Sequence, residues 1–276
     1  TPSLDLVDPA VADASMGRYF FSSGTTGAAK AILLDGRRLE TRLHHLGQIY
    51  AIDARTRAFV AIGAATIAGF NIPMATWMAG GAVMLRDGSK PERDDAFTES
   101  NLAMTSPVAL QTLLDVESKD TTRNVERVIA VAGGRLPASL RDRALERLCR
   151  RILLVYGSTE VGGIAEGDAS LIDRHPGAVG FVRAGATLQV IDAAGNPVPA
   201  GVNGIVRVRS DSMATGYVND PDITEKFFRD GWFYPGDQGV VFDDGLVAIT
   251  GRVSEILNLG GVKVDGIQPA PVAGIF

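Results

Sequence analysis

Residues 20–30 read FFSSGTTGAAK: four hydroxyl side chains (Ser22, Ser23, Thr25, Thr26), two glycines (Gly24, Gly27) and one cation (Lys30) follow an apolar pair. Glycines let a backbone turn with its N–H groups exposed, hydroxyls add donors, and a lysine offsets negative charge. That combination suits a polyphosphate. It is not the nucleotide P-loop, which needs Gly directly before the Lys and Ser or Thr directly after, whereas Ala29 and Ala31 flank Lys30. Taken alone, the same letters describe an ordinary Ser/Gly turn equally well.

The surrounding chain bounds what such a loop can serve. Its 276 residues allow one large or two modest domains, and a 46% hydrophobic content allows a substantial core. Lys plus Arg number 27 against 32 Asp plus Glu, a net charge of −5 that gives no sign of a nucleic-acid partner. Cys149 is the one cysteine, which excludes an internal disulfide framework and a cysteine-rich zinc site; its setting LERLCRRI reads as an amphipathic helix with a buried thiol. No apolar run approaches the roughly 20 residues that span a bilayer. A cytoplasmic protein is the default expectation.

From Arg18 to about Tyr156, short apolar runs (RYFF, AFVAI, GAVML, NLAMT, RVIAV, RILLVY) alternate with helical patterns such as RLETRLHHLGQIYA and ASLRDRALERLCR. Strand followed by helix, repeated, predicts a mainly parallel α/β sheet with flanking helices. After about His175 the chain turns β-rich with Gly, Asn and Asp turns (TLQVIDAAGNPVP, NGIVRVRS, GVVFDDGLVAITG), predicting a small antiparallel, barrel-like subdomain. The expected division is 1–174, 175–250 and a final 251–276. His44 and His45 fall in the first helical pattern and His175 in a loop, without metal-ligand spacing.

The loop gains weight from its company. YFFSSGTTGAAK resembles the phosphate-binding signature of the adenylate-forming superfamily, which includes acyl-CoA synthetases, aryl-acid ligases and peptide-synthetase adenylation domains. Further blocks follow in that family's order: VAGGRLP at 131–137, VYGSTE at 155–160, GWFYPGD at 231–237 and GRVSEILNLGGVKV at 251–264. The resemblance implies that Ser23, Gly24, Thr25, Thr26, Gly27 and Lys30 hold ATP phosphates. Gly133, Gly134 and Arg135 would border the adenine, Tyr156 would lie along it, and Gly157 and Ser158 would complete that wall. Thr159 would meet the α-phosphate, Glu160 would carry Mg²⁺, Asp237 would accept from the ribose hydroxyls, and Arg252 would lie near ribose and phosphate. Lys30, Thr159 and Glu160 are the implied catalytic residues, Glu255 the hinge and Lys263 the thioester-step loop. As isolated acids, Glu160 and Asp237 fit a solvated surface just as well. The chain departs from the family pattern at Ala29 (usually Pro), Ala31 (usually Gly), YPGD (usually RTGD) and Glu255 (usually Asp).

The implied reaction joins a carboxylic acid to AMP and then passes the acyl group to a thiol, either of CoA or of a carrier protein's phosphopantetheine. A non-catalytic ATP- or AMP-binding module of the same fold is the alternative. Within GAATIAGFNIPMATWMAGG, Thr66 stands where many acyl-CoA synthetases carry a His, and Phe70–Asn71 stands near an aryl-acid element; with Gly134 they form the expected acyl pocket for an aryl or medium apolar acid. Phe70, Met74 and Trp77 also have the spacing of a helical core stripe. The resemblance further implies segments before residue 1 and after residue 276, the latter with an adenylation lysine.

Overall fold

The computed structural model describes residues 17–23, 29–63, 65–86, 95–116, 124–253, 256–259 and 262–265. Strands β3 (Arg57–Val60), β4 (Ala82–Met84), β5 (Leu102–Thr105), β6 (Asn124–Val131) and β7 (Cys149–Ser158) lie in the order β4-β3-β5-β6-β7, all parallel. Between them run α2 (Ile67–Met78), α3 (Asp95–Glu99), α4 (Pro107–Val116) and α5 (Ala138–Arg147). Parallel strands joined by helices are covered on both faces, so their residues are apolar at successive positions instead of alternate ones. Phe59, Ala103, Ile129 and Val131 face one core with Leu110, Leu113 and Leu114 of α4 and Leu140 of α5. Ala58, Leu102, Met104 and Ala130 face the opposite core, with Ile72 of α2 and with Leu46 of α1 (Gly36–Ile49). Each large apolar side chain so buried contributes about 1.5–3 kcal/mol.

At β7 the sheet changes character. β8 (Gly162–Asp168) returns antiparallel to β7, and β9 (Ala178–Val182), β15 (Leu246–Arg252), β14 (Asp237–Val241) and β11 (Gly204–Ser210) continue the same sheet antiparallel. β10 (Ala186–Ile191), β12 (Phe228–Arg229) and β13 (Trp232–Phe233) complete its 13 strands. This half curls around its own core, in which Val161 and Ile164 meet Leu188, Val206, Val208 and Phe233.

Two elements differ from the sequence expectation. RYFF is not a strand of the large sheet: β1 (Gly17–Ser23) pairs antiparallel with β2 (Ala29–Asp35) in a separate hairpin. Its alternation explains this, since Phe20, Ile32 and Leu34 are buried while Tyr19, Phe21 and Leu33 are exposed, a one-sided pattern unlike that of the covered strands. Cys149 is not helical. α5 ends at Arg147, and Cys149 opens β7 opposite Asn124, because the apolar run that follows is needed as the partner of β6. The thiol is buried and lies 3.6 Å from the Ala144 carbonyl. Among the described residues no helix is long and apolar enough to cross a membrane.

Two buried arginines tie elements together. Arg127 on β6 donates to the carbonyls of Phe97, Thr98, Ser100 and Leu148, and its guanidinium lies 3.9 Å from the Phe97 ring. On α1, His45 faces Arg183, whose Nη1 is 2.8 Å from the ring Nδ1, while Nε2 is 3.5 Å from Asp211. A guanidinium can only donate, so Nδ1 accepts and the ring proton sits on Nε2. Burial first, and then Arg183, hold the His45 pKa below its ordinary 6.5.

Replacing Arg127 by Leu removes a donor from each of four carbonyls. Buried acceptors left unmet cost about 1–3 kcal/mol each, and about 2–4 °C accompanies each kcal/mol, so calorimetry should show the Tm of Arg127→Leu lowered by about 5 °C or more. An unchanged Tm would mean that solvent replaces the guanidinium. For His45 the folded-state pKa lies below 6.5, so the unfolded chain binds the proton first. Stability tied to the neutral ring is intact above about pH 6.5 and is lost as the pH falls below it. Urea midpoints at pH 7.5 and 5.5 should therefore drop more for the parent than for His45→Gln.

Candidate nucleotide site

Parallel strands send their following loops out at one edge of a sheet, where open α/β folds bind ligands. Among the described residues, segments that leave that edge include 61–63 after β3, 132–137 after β6, and the turn after β7 that carries Thr159 and Glu160. In the second, Gly133 has φ +79°, the left-handed conformation that favours glycine, and the open side of Gly134 faces Pro107. Arg135 beside them is exposed.

The β7 end is irregular for a reason. The pairing of β7 with β8 shifts register between Tyr156 and Gly157, and a Cβ on Gly157 would sit 2.1 Å from the Gly162 carbonyl oxygen. Such a bulge re-aims the side chains beside it. The Tyr156 hydroxyl reaches Asp237, donating to Oδ2 at 2.7 Å. Asp237 opens β14, and four strand spacings of about 4.8 Å would put it roughly 19 Å from β7 in a flat sheet, so the contact depends on the curl of the antiparallel half. Arg252, opposite Asp237 in the β14–β15 pairing, places Nε 2.8 Å from Asp237 Oδ1 and donates through Nη1 to the Pro235 carbonyl. Burial, and next the Asp237 charge, push the Tyr156 pKa well up, so its phenol stays protonated and donates.

Glu160 is buried, 5% exposed, and its Oε1 accepts from the Tyr217 hydroxyl at 2.8 Å. The main chain around it is held by Arg42 of α1, which donates to the carbonyls of Thr159, Glu160 and Ser212 at 2.9–3.2 Å. Burial, followed by Arg183, pulls the Arg42 pKa down to about 9, so it remains a cation at neutral pH. Lys30 on β2 has Nζ 4.0 Å from the Phe227 ring and 5.3 Å from the Tyr217 ring. β2 is tied to this segment by the Ile32–Tyr217 bridge and by the Val218 amide, which donates to the Ala31 carbonyl at 2.8 Å. Ser158 Oγ is buried without a hydrogen-bond partner among the described residues.

Among the described residues no group of three or more His, Cys, Asp or Glu side chains could hold a metal by itself. Nucleotide-bound magnesium does not require one, because it takes one or two carboxylates and completes its octahedron with phosphate oxygens and water. A single buried Glu160 carboxylate, with one oxygen engaged by Tyr217, fits that donor set.

The expected acyl-pocket residues do three different things. Thr66 caps α2: its Oγ1 accepts from the Gly69 amide and donates to the Gly63 carbonyl, and its side chain is exposed. Phe70 packs edge-on against Phe20 beneath the Arg18 guanidinium. Asn71 is 4% exposed, and its Oδ1 has no hydrogen-bond partner among the described residues. Gly24, Thr25, Thr26, Gly27 and Glu255 lie outside the described residues. The backbone of Ser23 pairs with Ala29 and that of Lys263 with Asn258. Sequence reading passed over Arg42 and Tyr217. For Arg42 a signal existed, since it sits in the apolar stripe Leu39–Leu43–Leu46, where a charge needs buried partners.

Comparison with known proteins places the fold and the family. Oxalate–CoA ligase of Saccharomyces cerevisiae is 25% identical over 90% of this chain and 46% of its own length. The 3-hydroxybenzoate–CoA ligase of Aromatoleum is 27% identical over 93% of this chain and 50% of its own. The ATP-bound structure of MatB from Rhodopseudomonas palustris superposes with a TM-score of 0.76 at 26% identity, covering 90% of this chain and 50% of that one. The chain thus spans about half the length of the curated relatives it matches. Its residues 8–218 match the profile of AMP-binding enzymes, and the chain belongs to that family.

Proposed function

We propose that this chain is the nucleotide-binding core of an ATP-dependent carboxylate ligase. Its product is an acyl-adenylate, and its acyl group passes to the thiol of CoA or of a carrier protein's phosphopantetheine. The observation that carries the reading is the pair of buried carboxylates at one strand edge and its curled-over partner: Asp237 between Tyr156 and Arg252, and Glu160 on the β7–β8 turn. Asp237, charge-balanced by Arg252, accepts from the ribose hydroxyls, and Tyr156 lies along the adenine. Lys30, with Ser23, Gly24, Thr25, Thr26 and Gly27, cradles the phosphates. Thr159 contacts the α-phosphate, and Glu160 is the protein ligand for magnesium. When bound, that ion shields phosphate charge from the incoming carboxylate. The carboxylate oxygen then attacks the α-phosphorus and pyrophosphate leaves. In the second half the thiolate attacks the acyl carbon and AMP leaves. What the chain contributes is position and charge compensation.

An aryl or medium apolar acid is the substrate class we favour. Among the described residues buried Asn71 Oδ1 lacks a partner, which a ring hydroxyl could supply, and Phe70 precedes it on α2. The aryl-acid ligases among the relatives support this, although oxalate–CoA ligase is about equally similar. ATP and CoA are both cytoplasmic metabolites, in keeping with a cytoplasmic enzyme.

ATP–pyrophosphate exchange over a panel of carboxylic acids tests the reaction, run on a longer form that carries the segments the resemblance implies before residue 1 and after residue 276. At least one acid should support exchange, and Glu160→Gln should abolish it while leaving the circular dichroism spectrum unchanged. Exchange by no acid, or at the parental rate in the variant, refutes the assignment. The ribose contact is tested by binding. Hydrogen bonds to a charged group are worth about 1.5–3 kcal/mol, so Asp237→Ala should weaken ATP by at least about tenfold and 2′,3′-dideoxy-ATP far less. Equal losses for the two nucleotides remove Asp237 from the ribose.

A further inference from the structure

We propose that Tyr217 is a positioning residue of the nucleotide site: its hydroxyl fixes the Glu160 carboxylate for magnesium, and its ring, together with Phe227, seats Lys30. The inference rests on the reading of Glu160 as the magnesium carboxylate. Tyr217 is 8% exposed and its hydroxyl is spent on Glu160 Oε1, at 2.8 Å. Its own placement is over-determined. Its amide donates to Thr224 Oγ1 at 2.8 Å, its backbone bridges to Ile32 of β2, and its ring meets Phe227 and Phe228 edge-on at 6.1 and 5.5 Å. The backbone of Glu160 is equally fixed, because its carbonyl accepts from Arg42 and from the Ala214 amide at 2.8 Å. With main chain and one carboxylate oxygen both held, the second oxygen has a set direction.

A phenol suits this task better than a cation. It donates one hydrogen bond without cancelling the charge that a metal needs. The cation of Arg42 is close, but its N–H groups are committed to carbonyl oxygens of Thr159, Glu160 and Ser212. The same tyrosine ring lies 5.3 Å from Lys30 Nζ, so one side chain touches both the metal carboxylate and the phosphate lysine. Residues 160 and 30 lie far apart in sequence, and Tyr217 is a group they share.

The test is calorimetric titration of ATP into the chain, without acid substrate, at a series of Mg²⁺ concentrations. Tyr217→Phe keeps the ring and loses the hydroxyl. Partners that orient a metal ligand are worth about 10–100-fold in metal affinity, so half-saturating Mg²⁺ should rise at least roughly tenfold, with a much smaller change in metal-free ATP affinity. Tyr217→Leu, which also removes the ring, should weaken metal-free ATP binding as well. A merely structural tyrosine would lower the Tm and leave the magnesium dependence at the parental value; that result for Tyr217→Phe overturns the proposal. Glu160→Gln separates the two levels. If it loses the magnesium dependence while Tyr217→Phe retains it, the positioning role alone fails. If Glu160→Gln also binds as the parent does, the metal assignment of Glu160 fails with it. Should a variant not fold, ultraviolet difference spectra of the unsubstituted chain decide: Mg²⁺ added with ATP must perturb a tyrosine band, and a silent spectrum overturns the proposal.

Discussion

One buried guanidinium sets the geometry on which the site depends. The turn between β7 and β8 brings the carbonyls of Thr159 and Glu160 together at a point where the sheet changes from parallel to antiparallel pairing. Arg42 supplies donors to both, and to Ser212, from a helix far away in sequence. A buried charge is tolerated only when its hydrogen-bonding capacity is largely met, and four hydrogen bonds to carbonyl oxygens meet most of it here. The arrangement constrains its surroundings in turn. Gly162 has φ +78° and its open side faces Arg42 Nε at 3.3 Å, so a side chain there would be strained in backbone and crowded against the guanidinium. α1, the β7–β8 turn and the Ser212 segment are therefore held as one unit.

The second constraint is curvature. Tyr156 and Asp237 belong to strands with three others between them, yet their side chains meet at 2.7 Å. Each has a register shift beside it, at Tyr156/Gly157 and at Gln238/Gly239. Bulges sharpen the twist and bend of a strand, which closes the distance that a flat sheet would leave open. The curled core of Val161, Ile164, Val206 and Val208 supplies the apolar burial that offsets the irregular pairing.

How far the sequence disclosed this follows from what each feature depends on. Strands such as NLAMT and RVIAV were legible because both faces are covered, leaving an unbroken apolar run, and the later hairpins because Gly and Asp turns punctuate them. RYFF was misplaced because a strand's partner is a long-range property, and only its exposed Tyr19 and Phe21 mark it as one-sided. Cys149 fell on the wrong side of a helix end because one more helical residue and one more strand residue look alike locally. Arg42 and Tyr217 act across more than fifty residues, and no spacing rule reaches that far. Thr66 stands at a helix start, where a hydroxyl caps the first turn, a role its immediate sequence context allowed. Glu160 and Asp237 ran against the expectation for acidic residues: each is about 5% exposed.

Those two carboxylates also lie in different electrostatic surroundings. Each accepts from a tyrosine whose pKa is raised, first by burial and then by the carboxylate itself, so both phenols stay protonated through the physiological range. The difference lies in the cation. Arg252 forms an ion pair with Asp237 at 2.8 Å, which balances its charge and leaves it suited to neutral hydroxyl donors. Around Glu160 the nearby guanidinium of Arg42 is turned to main-chain carbonyls, so the carboxylate keeps its demand for a positive partner. Under the proposed assignment, a ribose meets the first environment and a divalent cation the second. On an acidic chain the separation is achieved by directing two arginines differently, one to a carboxylate and one away from it.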